Sequence, residues 1–465
     1  MQQIFAIAGL TWRAALRFKL FLVIATLLVL AVVGLPLIIK DDGTASGFTQ
    51  IIMTYTLTVT AGLLGLSTLW LSCGTLARDI EECQIQVVAT KPVARWQIWI
   101  GKWLGIVSLN AALLALAGAC IYGMLLWRAT KLPPAEQIAL HQQVLVARGS
   151  AREPSYEAEI NAETERIYQA RLQQNPEFAN LSRADKEEVR SNIFEQVVTS
   201  FELVPPGYPR EWRIDLGHEK NYLRDKPMQL RVKFNSADHN PVGTYAGVWV
   251  VGDPNGTNIW QSAPMSLAPD TAHEIDIPPG LLDTNGVLTI VFVNPNNTAL
   301  LFPLDDGMEV LYPVGGFAPN FARGLAVILC WLALLAAVGL AAASFLSFPV
   351  AAFLSMAMLL VVFSSGTLAE AVVAGSITSG NGETGVSGHS ALDMFLIPLF
   401  KGILFLVGLT KDVSPIDLLS TGRAITWGDL GLAFAHIVLI LGGVFIIAGI
   451  ILFNRRELAT AQGNQ

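Results

Sequence analysis

Long apolar runs separated by short charged clusters fill residues 1–126 and 317–465, and the stretch between them has a different texture. Leu20 to Ile39 carries no charge and is bounded by Lys19 and Lys40. Phe48 to Leu71 and Trp96 to Leu126 follow, and Phe321 to Ser344, Ala351 to Ala374 and Trp427 to Phe453 come after residue 317. A helix needs about 20 predominantly apolar residues to cross a bilayer core, so each run predicts a spanning helix. Ahead of the first, Ile4, Ile7, Ala8, Leu10, Thr11, Ala15 and Phe18 fall on one side of a helical projection, with Arg13, Arg17 and Lys19 toward the other. That pattern predicts an interfacial amphipathic helix leading into the membrane.

The middle of the chain changes period twice. Pro133 to about Ser200 is charged, helix-forming and poor in β-branched residues, which predicts two or three helices, one of them capped by Ser182 with acids in its first turn. From Tyr208 the pattern becomes short alternating runs: EWRIDL, MQLRVKF, TYAGVWVVG, NIWQSA, HEIDI, VLTIVFVN and MEVLY. Turn sequences DPNG at Asp253 and DTNG at Asp283 separate them. Seven or eight such strands predict a β-sandwich of the jelly-roll or immunoglobulin-like kind. Trp249 and Trp260 on these strands are expected in its core, the other reading being a platform for stacking on a sugar. The expected class is therefore an α-helical polytopic membrane protein with six transmembrane helices and an α+β extracytoplasmic domain inserted between helices 3 and 4. Its divisions are 1–126, a helical segment 127–205, the sandwich 206–316, and 317–465.

Composition agrees: 52% of residues are hydrophobic and 14% charged, against about a quarter charged in soluble domains. The net charge of -7 is uneven, because Trp127 to Asn320 holds 16 Lys and Arg against 25 Asp and Glu, leaving an excess of two basic charges elsewhere. An acidic insert argues against nucleic acid as a partner. Arg13, Arg17 and Lys19 before the first span and Arg455 with Arg456 after the last both favour the cytoplasm. Both termini inside require an even number of crossings, so Leu392 to Leu409, which contains Pro398 and Lys401, is expected to be a re-entrant or interfacial helix on the outer face.

Candidate chemistry is sparse. Cys73, Cys83, Cys120 and Cys330 all lie outside the insert, which must fold without disulfides, and the histidines lack metal-ligand spacing. No nucleophile, base and orienting acid come together by spacing, and there is no Walker A sequence, so neither enzymatic activity nor a bound cofactor or metal is expected. Glu370, late in the fifth span among small residues, either lines a cavity or subunit interface or lies near the outer surface.

The densest charge lies between the second and third spans, from Cys73 to Gly105. Arg78, Asp79, Glu81 and Glu82 precede Lys91, Pro92, Arg95 and Lys102. The bland reading is a polar cytoplasmic loop, and the functional one a short amphipathic surface helix with a proline-marked re-entry. Trp96 and Trp99 are expected to anchor the next helix at the interface. Pro92-Val93-Ala94-Arg95-Trp96-Gln97-Ile98-Trp99-Ile100-Gly101-Lys102, together with the preceding acids, Ser347-Phe348-Pro349-Val350-Ala351 and Phe453-Asn454-Arg455-Arg456-Glu457-Leu458, resembles the ABC-2 type transporter permeases, the membrane subunits of ATP-binding cassette exporters. Glu82-Cys83-Gln84 departs from the Glu-x-Gly-Thr of many members, and the insert is larger than in the small exporters.

The resemblance implies a multi-pass protein of the bacterial cytoplasmic membrane that couples ATP hydrolysis by a separate ATPase subunit to export or mechanical work. Arg78, Asp79, Glu81, Glu82, Lys91, Pro92, Arg95 and Lys102 would form the ATPase-coupling surface. A second permease subunit, identical or related, would complete the assembly, and the insert would meet an extracytoplasmic ligand or partner. The alternative is a membrane-anchored binding or scaffold protein whose sandwich recognises an envelope polymer or partner protein.

Overall fold

A computed structural model describes residues 2–17, 20–39, 44–82, 93–140, 144–174, 183–217, 219–238, 243–252, 258–363, 396–398, 400–402, 404, 408 and 414–456. Helices α1 (Gln2–Arg17), α2 (Leu20–Ile38), α3 (Ala45–Glu81), α4 (Arg95–Ala129) and α5 (Pro134–Ala139) come first. A mixed region follows: β1 (Val146–Ala151), α6 (Glu157–Gln174), α7 (Arg183–Glu202), β2 (Leu203–Val204), β3 (Pro209–Asp215), α8 (Lys220–Leu223) and β4 (Met228–Val232). Its remaining strands are β5 (Asn235–Ser236), β6 (Tyr245–Gly247), β7 (Trp249–Gly252), β8 (Ile259–Gln261), β9 (Met265–Leu267), β10 (His273–Ile277), β11 (Val287–Val293), β12 (Leu300–Leu301) and β13 (Met308–Gly316). Helices α9 (Phe317–Ala343), α10 (Phe348–Phe363), α11 (Pro415–Ser420) and α12 (Trp427–Arg455) close the described chain. The chain divides into two compact units, Met1–Ala147 with Gly316–Gln465, and Arg148–Gly315.

In the helical unit, α3, α4, α9 and α12 are long and apolar enough to cross a membrane, and Leu22–Ile38 and Phe348–Val362 are shorter apolar stretches. Helix α9 is the centre of this unit and packs on α3, α4, α10, α11 and α12. Its small residues make that possible: Ala333, Ala336, Ala337, Ala341, Ala342 and Ala343 are all buried. A Cβ added to Gly339 would lie 1.9 Å from Ser72 Oγ, so the α3 and α9 backbones approach where no side chain intervenes. The same device seats α1 on α4, since a Cβ on Gly101 or Gly105 would meet Ile7 or Thr11 at 2.7 Å.

At the start of α9, Asn320 is fully buried and ties down the segment leading into α12. Its Nδ2 donates to Arg423 O at 2.8 Å, and Ile425 N donates to its Oδ1 at 2.7 Å. Thr426 and Asp429 then form the capping box that opens α12. Asn320→Leu keeps the volume but strands both backbone groups, and it is expected to cost about 1–3 kcal/mol. The readout is the melting midpoint of the detergent-solubilised protein; an unchanged midpoint would show that these bonds add no stability.

One expectation is corrected here. The second span was expected to end near Leu71, before a separate surface helix, but α3 runs unbroken from Ala45 to Glu81. Between Leu71 and Glu81 only Gly74 weakens a helical sequence, and no proline stops it. Arg78, Asp79 and Glu81 therefore occupy the last turns of α3 itself.

The β-rich unit contains two four-stranded sheets, ordered β1-β13-β4-β10 and β3-β11-β7-β8, with smaller sheets β2-β12-β5 and β6-β9. Alternation explains the register. Ile275 and Val310 both face Leu230 across their strands and are buried, whereas Glu274 and Glu309 both face Arg231 on the opposite side. In the other sheet Ile290 pairs with Trp212 and Val251, and Phe292 with Trp249. Inward residues of both sheets belong to one core, where Trp212, Trp249, Phe292 and Phe302 are packed with ring centroids 4.5–6.0 Å apart. Trp249 is buried in that core and Trp260 is half-buried against it. Each expected run contains a strand, and β1, β2, β5, β9 and β12 are additional ones. Helices α6 and α7 pair over a small core of Ile160, Ile193 and Val197. The expected turn at Asp283 is present: Asp283 Oδ1 accepts from Asn285 N at 2.8 Å and Val287 N at 2.7 Å, and Gly286 adopts φ +89°.

Candidate functional site at the charged helix ends

Five helix ends of the helical unit meet around the charged residues singled out in the sequence. The last turns of α3 carry Arg78, Asp79 and Glu81, with Glu82 just beyond as an exposed cap residue. Arg95 opens α4, and Lys102 lies two turns further along the same helix. Lys91, Pro92 and Glu370 lie outside the described residues.

Helices α3 and α4 are bound to each other by an ion pair. Lys102 Nζ lies 2.5 Å from Asp79 Oδ2 and also donates to Thr75 O at 2.8 Å. The lysine side chain is 9% exposed and the aspartate 33%. A cation buried to this degree requires a charged or polar partner, and the last two turns of α3 supply both a carboxylate, from Asp79, and a carbonyl, from Thr75.

Two arginines then satisfy the ends of two other helices. The last carbonyls of a helix have no partner within it and carry partial negative charge, which suits a guanidinium. Arg95 Nη1 donates to Phe453 O at 3.1 Å, Asn454 O at 2.8 Å and Arg456 O at 2.9 Å, closing the end of α12. Arg456 Nη1 in turn lies 3.3–3.4 Å from the carbonyls of Ala343, Ser344 and Leu346, at the end of α9. Between them Trp99, fully buried, donates through Nε1 to Ser344 Oγ at 3.2 Å, and Ser344 Oγ donates to Leu340 O at 2.8 Å. The expected interfacial anchoring is corrected for Trp99, which is a core residue, whereas Trp96 is 47% exposed. Trp99 faces inward because Gly449 of α12 leaves room for its ring; a Cβ there would lie 2.9–3.0 Å from the indole.

Helix α10 is held from α3. Glu81 Oε1 accepts from Phe348 N at 3.0 Å, an acid at a helix N-terminus where the dipole favours it. The Arg78 guanidinium sits 4.6 Å above the Phe348 ring, and Trp70 meets the same ring edge-on at 5.1 Å. Thus Arg78, Asp79, Glu81, Arg95 and Lys102 all have partners inside the chain. Sequence reasoning selected these five but missed Trp99, Ser344 and Arg456 as members of the same cluster. Arg456 was read only as a topological charge, because nothing local indicates that it reaches the end of α9. The cluster contains no nucleophile paired with a base, and no group of three metal-ligating side chains occurs among the described residues. Its contacts join helix ends to one another.

The β-rich unit has a cavity of about 210 Å³ lined by residues of the segment before α6, the start of β3 and the loop before β13. Arg210 lies within it, 4.9 Å from the Trp212 ring centroid, and its Nη1 donates to Glu202 O at 2.9 Å. Burial lowers the Arg210 pKa, and burial together with the neighbouring Glu153 carboxylate raises that of the Tyr156 hydroxyl.

No family model matches the chain, and no curated protein and no solved structure matches it either.

Proposed function

We propose that the chain is the permease subunit of an ABC transporter of the ABC-2 type, coupling ATP hydrolysis by a separate ATPase subunit to export or mechanical work across the bacterial cytoplasmic membrane. In this reading α2 and α10 join the four longer helices as spans, giving six. Both termini are cytoplasmic, and the β-rich unit is an extracytoplasmic insert between the third and fourth spans. A second permease subunit, identical or related, completes the assembly.

One observation carries the reading. The segment 83–92 is flanked by helix ends that are ion-paired to each other and linked through Arg95 and Arg456 to the ends of α12 and α9. A force applied to that segment would move several helices together, which is what a partner supplying ATP-driven motion requires. These 465 residues contain no Walker A sequence, and in this reading the ATPase is a separate subunit.

A photo-crosslinking residue at Gln84 in native membranes should capture a protein that carries a Walker A sequence and hydrolyses ATP. Glu82→Lys, at an exposed position, should lower the ATPase retained per permease by about tenfold, as expected when a charge contact is reversed. Retention of the ATPase at the unmodified level, or capture of a protein without nucleotide-binding motifs, counts against the proposal. The cavity of the β-rich unit favours a second reading, a membrane-anchored binding or scaffold protein. That reading predicts a ligand for the cavity and no ATPase partner.

A further inference from the structure

We infer that the cavity of the β-rich unit is a binding site for a small zwitterion bearing one carboxylate and one ammonium group, the chemical class of free amino acids. It holds whether or not an ATPase drives the helical unit, since every lining residue belongs to Arg148–Gly315.

The first argument is size. At about 210 Å³ the cavity falls below the ~300 Å³ at which sites for drug-sized ligands begin, so its occupant has few heavy atoms. The second is charge. Arg152 and Arg210 line it together with Glu153, Glu157 and Asp305, so opposite charges border one small space. Arg152 is itself paired with Glu309 at 3.5 Å, so a simple anion would meet the three carboxylates and a simple cation would meet the Arg210 guanidinium. A molecule carrying both charges satisfies both sets.

The third argument is the state of Arg210. It makes no ion pair with another described residue, and burial is the largest influence on it, outweighing the attraction of Glu153, Tyr156 and Glu202. Stacking on Trp212 and the bond to Glu202 O hold its guanidinium in place and leave further N–H donors. A bidentate carboxylate is the natural complement to such a fork. Glu153, another lining residue, is held by Arg213 N, from which its Oε1 accepts at 3.2 Å, and by a hydrogen bond with Tyr156, and Asp305 is exposed on the loop that precedes β13. These two acids are the receptors for the ammonium group.

Isothermal titration calorimetry on the full chain in detergent, with the common L-amino acids as probes, tests the inference. At least one should bind. The deaminated and decarboxylated counterparts of the tightest binder should each bind at least about tenfold more weakly, as expected for loss of one charge-assisted contact. Arg210→Gln should weaken binding by a similar factor. Asp305→Asn, an exposed substitution that leaves the fold intact, should weaken binding severalfold, so the result does not depend on Arg210→Gln folding. Absence of binding by every amino acid overturns the inference. So does equal binding of the deaminated counterpart, or affinity unaffected by Asp305→Asn.

Discussion

Lys102→Met should lower the stability of the helical unit by roughly 2–3 kcal/mol, more than any other single charge change at the helix ends. Stripping one partner from a buried ion pair typically costs about 3–5 kcal/mol, because the other charge is left without compensation. Asp79 is a third exposed, so water offsets part of that cost. The measurement is equilibrium unfolding of the purified protein in mixed micelles. Asp79→Asn should be destabilising by itself, and the double variant should lose less than the sum of the two. Strict additivity would mean that the pair at 2.5 Å contributes no coupling, and that α3 and α4 are held by packing alone.

Trp99→Ala is expected to have the largest effect of all, about 3–5 kcal/mol, because a fully buried indole is removed from between α4, α9 and α12. Trp99→Phe keeps most of the volume and loses chiefly the bond to Ser344 Oγ, so it should cost about 1–2 kcal/mol. Gly449→Ala pushes a methyl group to within 2.9–3.0 Å of the indole and should cost about 1–3 kcal/mol by overpacking. In a Trp99→Phe background that cost should shrink, since a smaller ring leaves space. The same unfolding measurement reads all four chains. Equal costs for Trp99→Ala and Trp99→Phe would assign the stability to the hydrogen bond instead of to packing.

These two predictions concern one structural theme, helix ends joined by side chains that lie far apart in the chain. Lys102 is 23 residues from Asp79, Trp99 is 245 from Ser344, and Arg95 reaches Arg456 across 361. These links join the helix ends that flank residues 83–92 to α9, α10 and α12. Under the proposed permease function, weakening them should loosen transmission before it abolishes assembly with the ATPase.

Parts of this cluster were legible in the sequence. A run of charges between two apolar stretches marks a place where helices leave the membrane, and Arg78, Asp79, Glu81, Arg95 and Lys102 could be selected on that ground. Their roles could not be assigned. Lys102 is expected on a surface that another chain would meet, yet it lies buried against the last two turns of α3. Trp99 looks like an interfacial anchor because tryptophan favours that depth, yet the adjacent Gly449 draws it inward. Helix α3 continues past its apolar run to Glu81: apolar length marks where a helix can leave a membrane and not where its backbone stops.

The sequence by itself determined the positions of the apolar helices, the change of texture near residue 130 and the strand-forming runs after Tyr208. All three follow from periodicity within a dozen residues, where 3.6-residue and two-residue repeats sort side chains by face. The tertiary structure alone decided that α9 lies at the centre of its unit, where alanines and Gly339 admit close backbones. It alone decided that two sheets share the core around Trp212 and Trp249. It also decided that Arg95 and Arg456 each close another helix, because a carbonyl at a helix end carries no mark in the sequence of the guanidinium that will reach it.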